Sequence, residues 1–251
     1  MLNKLTRVPR SIVGLCLMLL RVKIFKPEKL FTEKSVAIVG PADSAYDMEN
    51  GFFIDQFDYV IRINKAITTW KSHNEKFLGK RTDVLIHSFL ESDFTGGGPI
   101  DFDLFQKHNV KYLVNAKHDI TNHRNVFNVY KKYLKWNRIY ILQKSMAKKC
   151  EELFDGYGPT NGFRAIHMVL NSKPKKVFIT GFTFYKTPYA DGYRDQLKDM
   201  EVNSKHMKER GAHNPEIEFS NFLKLIRNSD AELIYDSKLK IIVEENLNSQ
   251  K

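Results

Sequence analysis

Short apolar runs separated by longer helical segments constrain this chain more than any other feature. From residue 35 onward, runs at 35–40, 59–63, 82–87, 110–116, 138–142, 176–180 and 232–235 are rich in aliphatic residues and too short for helices. Between them, segments at 126–136, 145–154 and 162–171 carry apolar residues at helical spacing. This alternation predicts an α/β fold, a mostly parallel sheet with helices on both faces. Ligands of such folds sit outside the carboxyl ends of the strands. The residues that follow each run are therefore the ones to inspect for chemistry.

At 251 residues the chain can bury a full core, and one domain is expected. A net charge of +11 favours an acidic partner, whether an anionic surface or a negatively charged substrate. The cations are spread along the chain with no arginine-rich arm, so no nucleic acid is expected. Cys16 and Cys150 are the only cysteines, and Cys16 lies in an apolar run, which fits a reducing compartment rather than a disulfide framework. The chain has neither paired Cx2C motifs nor HExxH, so no metal site is expected. Asp101-Phe-Asp103 could be read as a metal-binding Asp-x-Asp, but no strand precedes it.

Three parts are expected along the chain: residues 1–30 as a basic and apolar N-terminal segment, 31–245 as the functional domain, and 246–251 as a fraying polar tail. The apolar run 12–20, flanked by Lys4, Arg7, Arg10, Arg21, Lys23 and Lys26, is too short to span a bilayer. It also lacks the small-residue cleavage site of a signal peptide. Two readings stand: a peripheral anchor on an anionic membrane surface, or a helix packed on the protein's own core.

Three stretches carry residues suited to chemistry. Phe57-Asp-Tyr-Val-Ile-Arg-Ile-Asn-Lys-Ala66 is a strand that delivers Arg62 and Asn64 to the mouth of the sheet. Gly156-Tyr-Gly-Pro-Thr-Asn-Gly162 precedes a helix whose first N–H groups make a ready anion site. His213-Asn-Pro-Glu-Ile-Glu218 opens another helix, with Asn214 as N-cap and Pro215 in the first turn. The positive end of that helix disfavours imidazolium, which suits His213 to act as a general base. By contrast, Gly40-Pro-Ala-Asp-Ser44 is not a GxGxxG fingerprint.

Taken together these segments resemble the sialyltransferases, which use CMP-activated sugars. Residues 36–66 resemble the family's long motif, including its closing Arg62-x-Asn64-x-Ala66 pattern. Pro159-Thr-Asn-Gly162 through Gly181 resembles the short motif, and His213 to Glu218 the very short one. The resemblance implies a Rossmann-like single-domain glycosyltransferase fold and inverting, metal-independent transfer from a CMP donor with no further cofactor. It implies His213 as the catalytic base. For donor binding it points to Gly40, Ser44, Asn64, Thr160, Asn161, Gly162, Gly181 and Glu218, with Tyr185, Tyr189 and Tyr193 as hydroxyl donors to the leaving phosphate.

The chain also departs from the family pattern. Pro41 stands where the family has an asparagine after the first strand, and the third-motif region 185–195 has no histidine. The cysteines paired in animal members are absent. The missing cysteines point away from a Golgi lumenal enzyme, towards a bacterial or otherwise divergent member that is cytoplasmic and peripheral on the inner face of a membrane, whereas Pro41 and the missing histidine favour a module without turnover. The expected partners are a CMP-sialic acid donor, with CMP-Kdo as the alternative, and a glycan or lipid-linked glycan acceptor. An inactive module of the same fold that binds an anionic ligand or glycan is the competing function. The loops 91–105 and 195–211 are expected to bind the acceptor, with the glycines after Thr95 making the first of them flexible.

Overall fold

The computed structural model describes residues 4–92 and 96–248. Its strands are β1 (Val22–Phe25), β2 (Ser35–Val39), β3 (Tyr59–Ile63), β4 (Val84–Ile86), β5 (Tyr112–Asn115), β6 (Ile139–Leu142), β7 (Lys176–Thr180) and β8 (Glu232–Tyr235). They form one eight-stranded sheet in the order β1-β6-β5-β4-β3-β2-β7-β8, and every pairing is parallel. The helices are α1 (Lys4–Arg21), α2 (Glu28–Phe31), α3 (Gly51–Asp55), α4 (Glu75–Leu78), α5 (Phe102–Lys107), α6 (Ile120–Tyr133), α7 (Lys144–Glu151), α8 (Asn161–Leu170), α9 (Met200–Arg210), α10 (Pro215–Arg227) and α11 (Ser237–Asn248).

Side chains alternate across the sheet, so both faces are built from the same strands. Val36, Ile38, Ile61, Val84 and Ile86 pack against Met146 of α7, Phe163 and Ile166 of α8 and Phe222 of α10. On the opposite face Leu85, Leu113, Ile139 and Ile141 meet Leu17 of α1, Phe105 of α5 and Val126, Val129 and Tyr130 of α6. Ala37, Val39 and Val60 meet Ile54 of α3 on that same side. From β2 the chain winds one way through β3, β4, β5 and β6, then the other way through β7 and β8. The order therefore reverses between β2 and β7, the place where such sheets open a crevice.

Several expectations need correction. The first 30 residues are not a separate segment: β1 pairs with β6 from Val22↔Ile139 to Phe25↔Leu142, and Phe25 and Phe31 are core. Of the N-terminal segment, residues 1–3 lie outside the described residues. The tail expected from 246 begins inside α11, whose Leu239, Ile242 and Val243 are buried; residues 249–251 are outside the description. Residues 200–210, expected as loop, are the helix α9. Thr95, at the head of the glycine loop, also lies outside the described residues, whereas Gly96 and Gly97 are described.

Arg62 does not reach the mouth of the sheet. Its neighbours Ile61 and Ile63 face α8, so period-two alternation turns Arg62 to the other face. There it is 1% exposed and donates to the carbonyls of Leu78 (2.6 Å), Gly79 (3.0 Å) and Arg81 (3.1 Å) and to Thr82 Oγ1 (3.0 Å). It staples the turn after α4. Asp101 caps α5 by accepting from Leu104 N at 2.9 Å, and Asp103 forms an exposed ion pair with Lys135.

Candidate active site

A cavity of about 380 Å³ opens at the carboxyl end of the sheet, where the strand order reverses. Its floor starts from two glycines. A Cβ on Gly40 would lie 2.3 Å from the Gly181 carbonyl, and one on Gly181 would lie 2.6 Å from the Gly40 carbonyl. Gly181 also has φ +73°, which favours glycine. The loops after β2 and β7 thus cross at backbone distance before they diverge, with Gly40 N–H on Thr180 O (2.8 Å) and Ala42 N–H on Gly181 O (3.0 Å). Below this crossing, Asp236 Oδ2 accepts from Gly181 N (2.7 Å), Thr180 Oγ1 (3.0 Å) and Ser44 Oγ (3.3 Å). Gly40 and Ser44 do not line the cavity: one is close packing, and the other is turned into the buried Asp236 network.

Pro41, which replaces the expected asparagine, has a different task here. Its carbonyl accepts from Ala190 N at 2.9 Å, Ala42 bridges to Tyr189, and Asp43 accepts from Thr187 Oγ1 at 2.6 Å. The loop after β2 serves as a rail for the segment that carries the tyrosines.

The motif segments meet through side chains. Asn64, held at φ +51°, accepts from Asn161 Nδ2 (3.0 Å) and Ser88 N (3.1 Å), and its Nδ2 reaches Tyr193 Oη at 3.5 Å. Thr160 caps α8 by accepting from Phe163 N at 3.1 Å. The first N–H groups of α8, on Asn161 and Gly162, lack intrahelical acceptors by helix geometry, and both residues line the cavity. Glu218 lies behind Thr160, with its two oxygens on Thr160 N (3.0 Å) and Thr160 Oγ1 (2.8 Å). It borders the cavity but is occupied in fixing the α8 cap. Burial raises its carboxyl to about 7, against the Thr160 hydrogen bonds and Arg164, which favour the ionised form.

His213 lines the same cavity as Asn64. Asn214 accepts from Glu216 N (3.0 Å) and Ile217 N (3.1 Å), and Pro215 follows in the first turn of α10. The His213 Nδ1 is hydrogen-bonded to the Gly158 carbonyl, and Gly158 N–H returns a bond to Ala212 O at 2.9 Å. A carbonyl oxygen only accepts, so Nδ1 carries a proton, and in the neutral ring the lone pair falls on Nε2. The imidazole is thus held in the tautomer a base requires.

Tyr185, Tyr189 and Tyr193 form a run of ring contacts over the cavity, at 6.3 Å and 5.5 Å between centroids. Burial raises all three phenols, so they stay protonated as donors. Polar residues of the cavity not singled out in the sequence are Ser88, Lys117, Thr183, Thr187 and Arg194, and His206 also borders it. Arg194 is buried, its guanidinium lies 5.9 Å from the Tyr189 ring centre, and its Nη2 is 3.4 Å from His206 Nε2. Burial, then nearby Arg164, pushes the Lys117 ammonium down from its usual range. A cation inside a tyrosine-rich stretch was the signal that could have marked Arg194. Of the residues expected from sequence, His213, Asn64, Thr160, Asn161, Gly162, Gly181, the three tyrosines and Glu218 all border the cavity.

A doubly wound parallel sheet with a polar cavity at its reversal point defines an α/β protein of the nucleotide-binding kind. The family model for glycosyltransferase family 29, the sialyltransferases, matches residues 17–229, and the chain belongs to that family. Solved structures share the fold. The crystal structure of a mammalian sialyltransferase is 16% identical, over 89% of this chain and 78% of that one, with a TM-score of 0.55. A variant of the sialyltransferase Cst-II in complex with CMP is 14% identical over 81% of both chains, at 0.51. CstII from Campylobacter jejuni with the substrate analogue CMP-3FNeuAc is 14% identical over 81% of this chain and 80% of that one, at 0.48. A comparison with curated proteins gives no match.

Proposed function

We propose that this enzyme moves sialic acid from CMP-sialic acid to a glycan hydroxyl, with inversion at the anomeric carbon and no metal ion. The observation that carries the reading is the His213 Nδ1 hydrogen bond to the Gly158 carbonyl, which fixes the ring at the border of the same cavity as the α8 N-terminus. In the step proposed, the acceptor oxygen bonds to the anomeric carbon as the carbon–oxygen bond to phosphate breaks. The acceptor proton passes to His213 Nε2, and CMP leaves with its charge on phosphate. The Asn161 and Gly162 N–H groups and the tyrosine hydroxyls are placed to stabilise that charge. Asn64 holds Asn161, and Glu218 holds Thr160, so both act by positioning the phosphate site. Lys117 and Arg194 offer cations to the donor's carboxylate.

General-base help is typically worth about 10²–10⁴-fold, so His213→Ala should lower kcat for transfer at least ~100-fold with CMP affinity little changed. His73, outside the cavity lining, is the control, since His206 borders the same cavity. Near-normal kcat in His213→Ala would remove the base from this residue. Transfer should survive EDTA. Loss with EDTA and recovery with manganese would overturn the metal-free step. A thermal-shift comparison of CMP-sialic acid with CMP-Kdo decides the donor, since the better ligand stabilises more.

A further inference from the structure

The outer face of α1 is apolar along its whole length. Val8, Ile12, Val13, Leu15, Leu19 and Leu20 are exposed there, while Gly14 sits against the Lys131 backbone on the inner side. The face does not stop at α1. Ile120 and Phe127 of α6 adjoin Val8, Ile12 and Leu15 in one shallow groove, with Arg124 beside them. Ile12 is 60% exposed, Leu19 74% and Ile120 88%, far more apolar surface than isolated exposed residues account for.

The charges around this face are mostly positive. The sequence contains no acidic residue before Glu28, and none within α6. Asp119 just before α6 is engaged as its N-cap, accepting from Asn122 N at 2.9 Å. Arg10 and Arg21 turn to backbone carbonyls of the 131–136 stretch, which keeps their charge at the border of the apolar face. Arg124 and Lys131 add two more cations on α6, and Trp136 lies exposed at the far end, with Arg21 over its ring at 4.7 Å. No helix among the described residues is long and apolar enough to cross a membrane.

We propose that the shared face of α1 and α6 is a docking surface for an anionic lipid bilayer. Apolar side chains enter the headgroup boundary while the cationic rim meets lipid phosphates, the pattern of helices that lie on a membrane rather than span it. The surface belongs to the folded domain, not to a detachable segment, because Ile120, Arg124 and Phe127 of it come from the middle of the chain. It also bears on access to the cavity. Lys117 borders the cavity, and Ile120 begins α6 three residues later, at the carboxyl end of the sheet. A docked molecule holds that end of α6 at the lipid surface. The surface is independent of how the cavity is read.

Deleting the first 25 residues is no test, since it removes β1 from the sheet. Flotation of the full chain with phosphatidylcholine vesicles, with and without phosphatidylglycerol, is the direct one. Binding to the anionic vesicles is expected to be at least ~10-fold tighter and to weaken with salt. Ile12→Glu combined with Leu19→Glu should lower it at least ~10-fold, and Ile120→Glu alone, on the other helix, several-fold. Arg124→Gln should lower anionic binding by about fivefold and leave binding to neutral vesicles unchanged. Melting curves of each variant establish that it is folded. The proposal is overturned if the wild type ignores anionic vesicles at low salt, if it binds both kinds equally, or if folded Ile120→Glu and the double variant float like the wild type. It is equally overturned if light scattering finds a dimer that these substitutions dissociate while vesicle binding persists.

Discussion

The two sides of the cavity are built differently. Its floor is backbone: the Gly40–Gly181 crossing, the α8 cap and the Asp236 network, all tied to buried strands. Its roof is side chain, namely Tyr185, Tyr189, Tyr193, Arg194 and His206 on the 185–213 stretch, which contributes no strand to the sheet. A backbone floor tolerates almost no change in shape, so it suits the part of a donor that never varies. A roof of side chains on one rail, the loop after β2, can be altered without disturbing the fold. Stability and specificity should therefore separate between floor and roof.

The largest expected effect breaks the floor. Gly40→Ala forces a Cβ into the Gly181 carbonyl and should cost about 3 kcal/mol, or roughly 6–12 °C in melting temperature. A melt within ~1 °C of wild type would mean the crossing is not rigid.

The next effect lies beneath the floor and depends on pH. Glu218 keeps its proton to about pH 7 in the folded chain, whereas the unfolded carboxyl loses it near 4.5. The folded state binds more protons across that window, so this group's contribution to stability falls as pH rises through it. Glu218→Gln cannot ionise, and the difference between variant and wild type should grow in the variant's favour by roughly 2 kcal/mol from pH 5 to pH 7.5. Buried His87 and His167, both lowered to about 4, work with the opposite sign. Their unfolded forms take protons below about 6.5, so their contribution is lost as pH falls from there towards 4. Urea titrations across pH separate the two slopes, and a flat difference for Glu218→Gln would show that its carboxyl is ionised throughout.

On the roof the effect moves from stability to substrate. Arg194→Ala should raise KM for the CMP-sugar about 10-fold, leave the affinity for CMP alone nearly intact, and shift the melt little. An equal loss for CMP would place Arg194 at the phosphate instead of the carboxylate. The smallest effect expected is Gly192→Ala: φ there is +80° but the nearest atom to a new Cβ is 3.8 Å away, so strain alone, about 1 kcal/mol, is at issue. Measured beside Gly40→Ala, it tests whether crowding, not conformation, distinguishes floor from roof.

The same division explains what could be read from the sequence. The strands from β2 to β8 were legible because buried parallel strands leave unbroken aliphatic runs that end in glycine or a polar residue. β1 was not. Val22-Lys-Ile-Phe25 is short and lies among cations, and only its distant partner β6 makes it a strand. α9 was missed because Met200–Arg210 carries no apolar stripe to announce a helix. In the site, Asn64, Thr160, Asn161 and His213 were found through local chemistry, the amide after a strand and the caps before helices. Arg62 was misplaced by attending to its position along β3 without its facing. Arg194 was marked only by lying in a tyrosine-rich stretch, while Lys117 and His206 reach the cavity through packing from separate segments, which no local pattern encodes.

The pairing of β1 with β6 also sets an order of events during synthesis. Residues 22–25 leave the ribosome early, yet Val22 has no partner until Ile139 has been made. Through that interval α1 is without both the strand and the α6 surface it packs on, and its apolar residues stand in solvent on every side. The β1 edge waits for a partner made long after it, a long-range contact of the kind that slows folding and exposes intermediates to aggregation. An early, unshielded basic helix is available meanwhile to chaperones and to lipid alike.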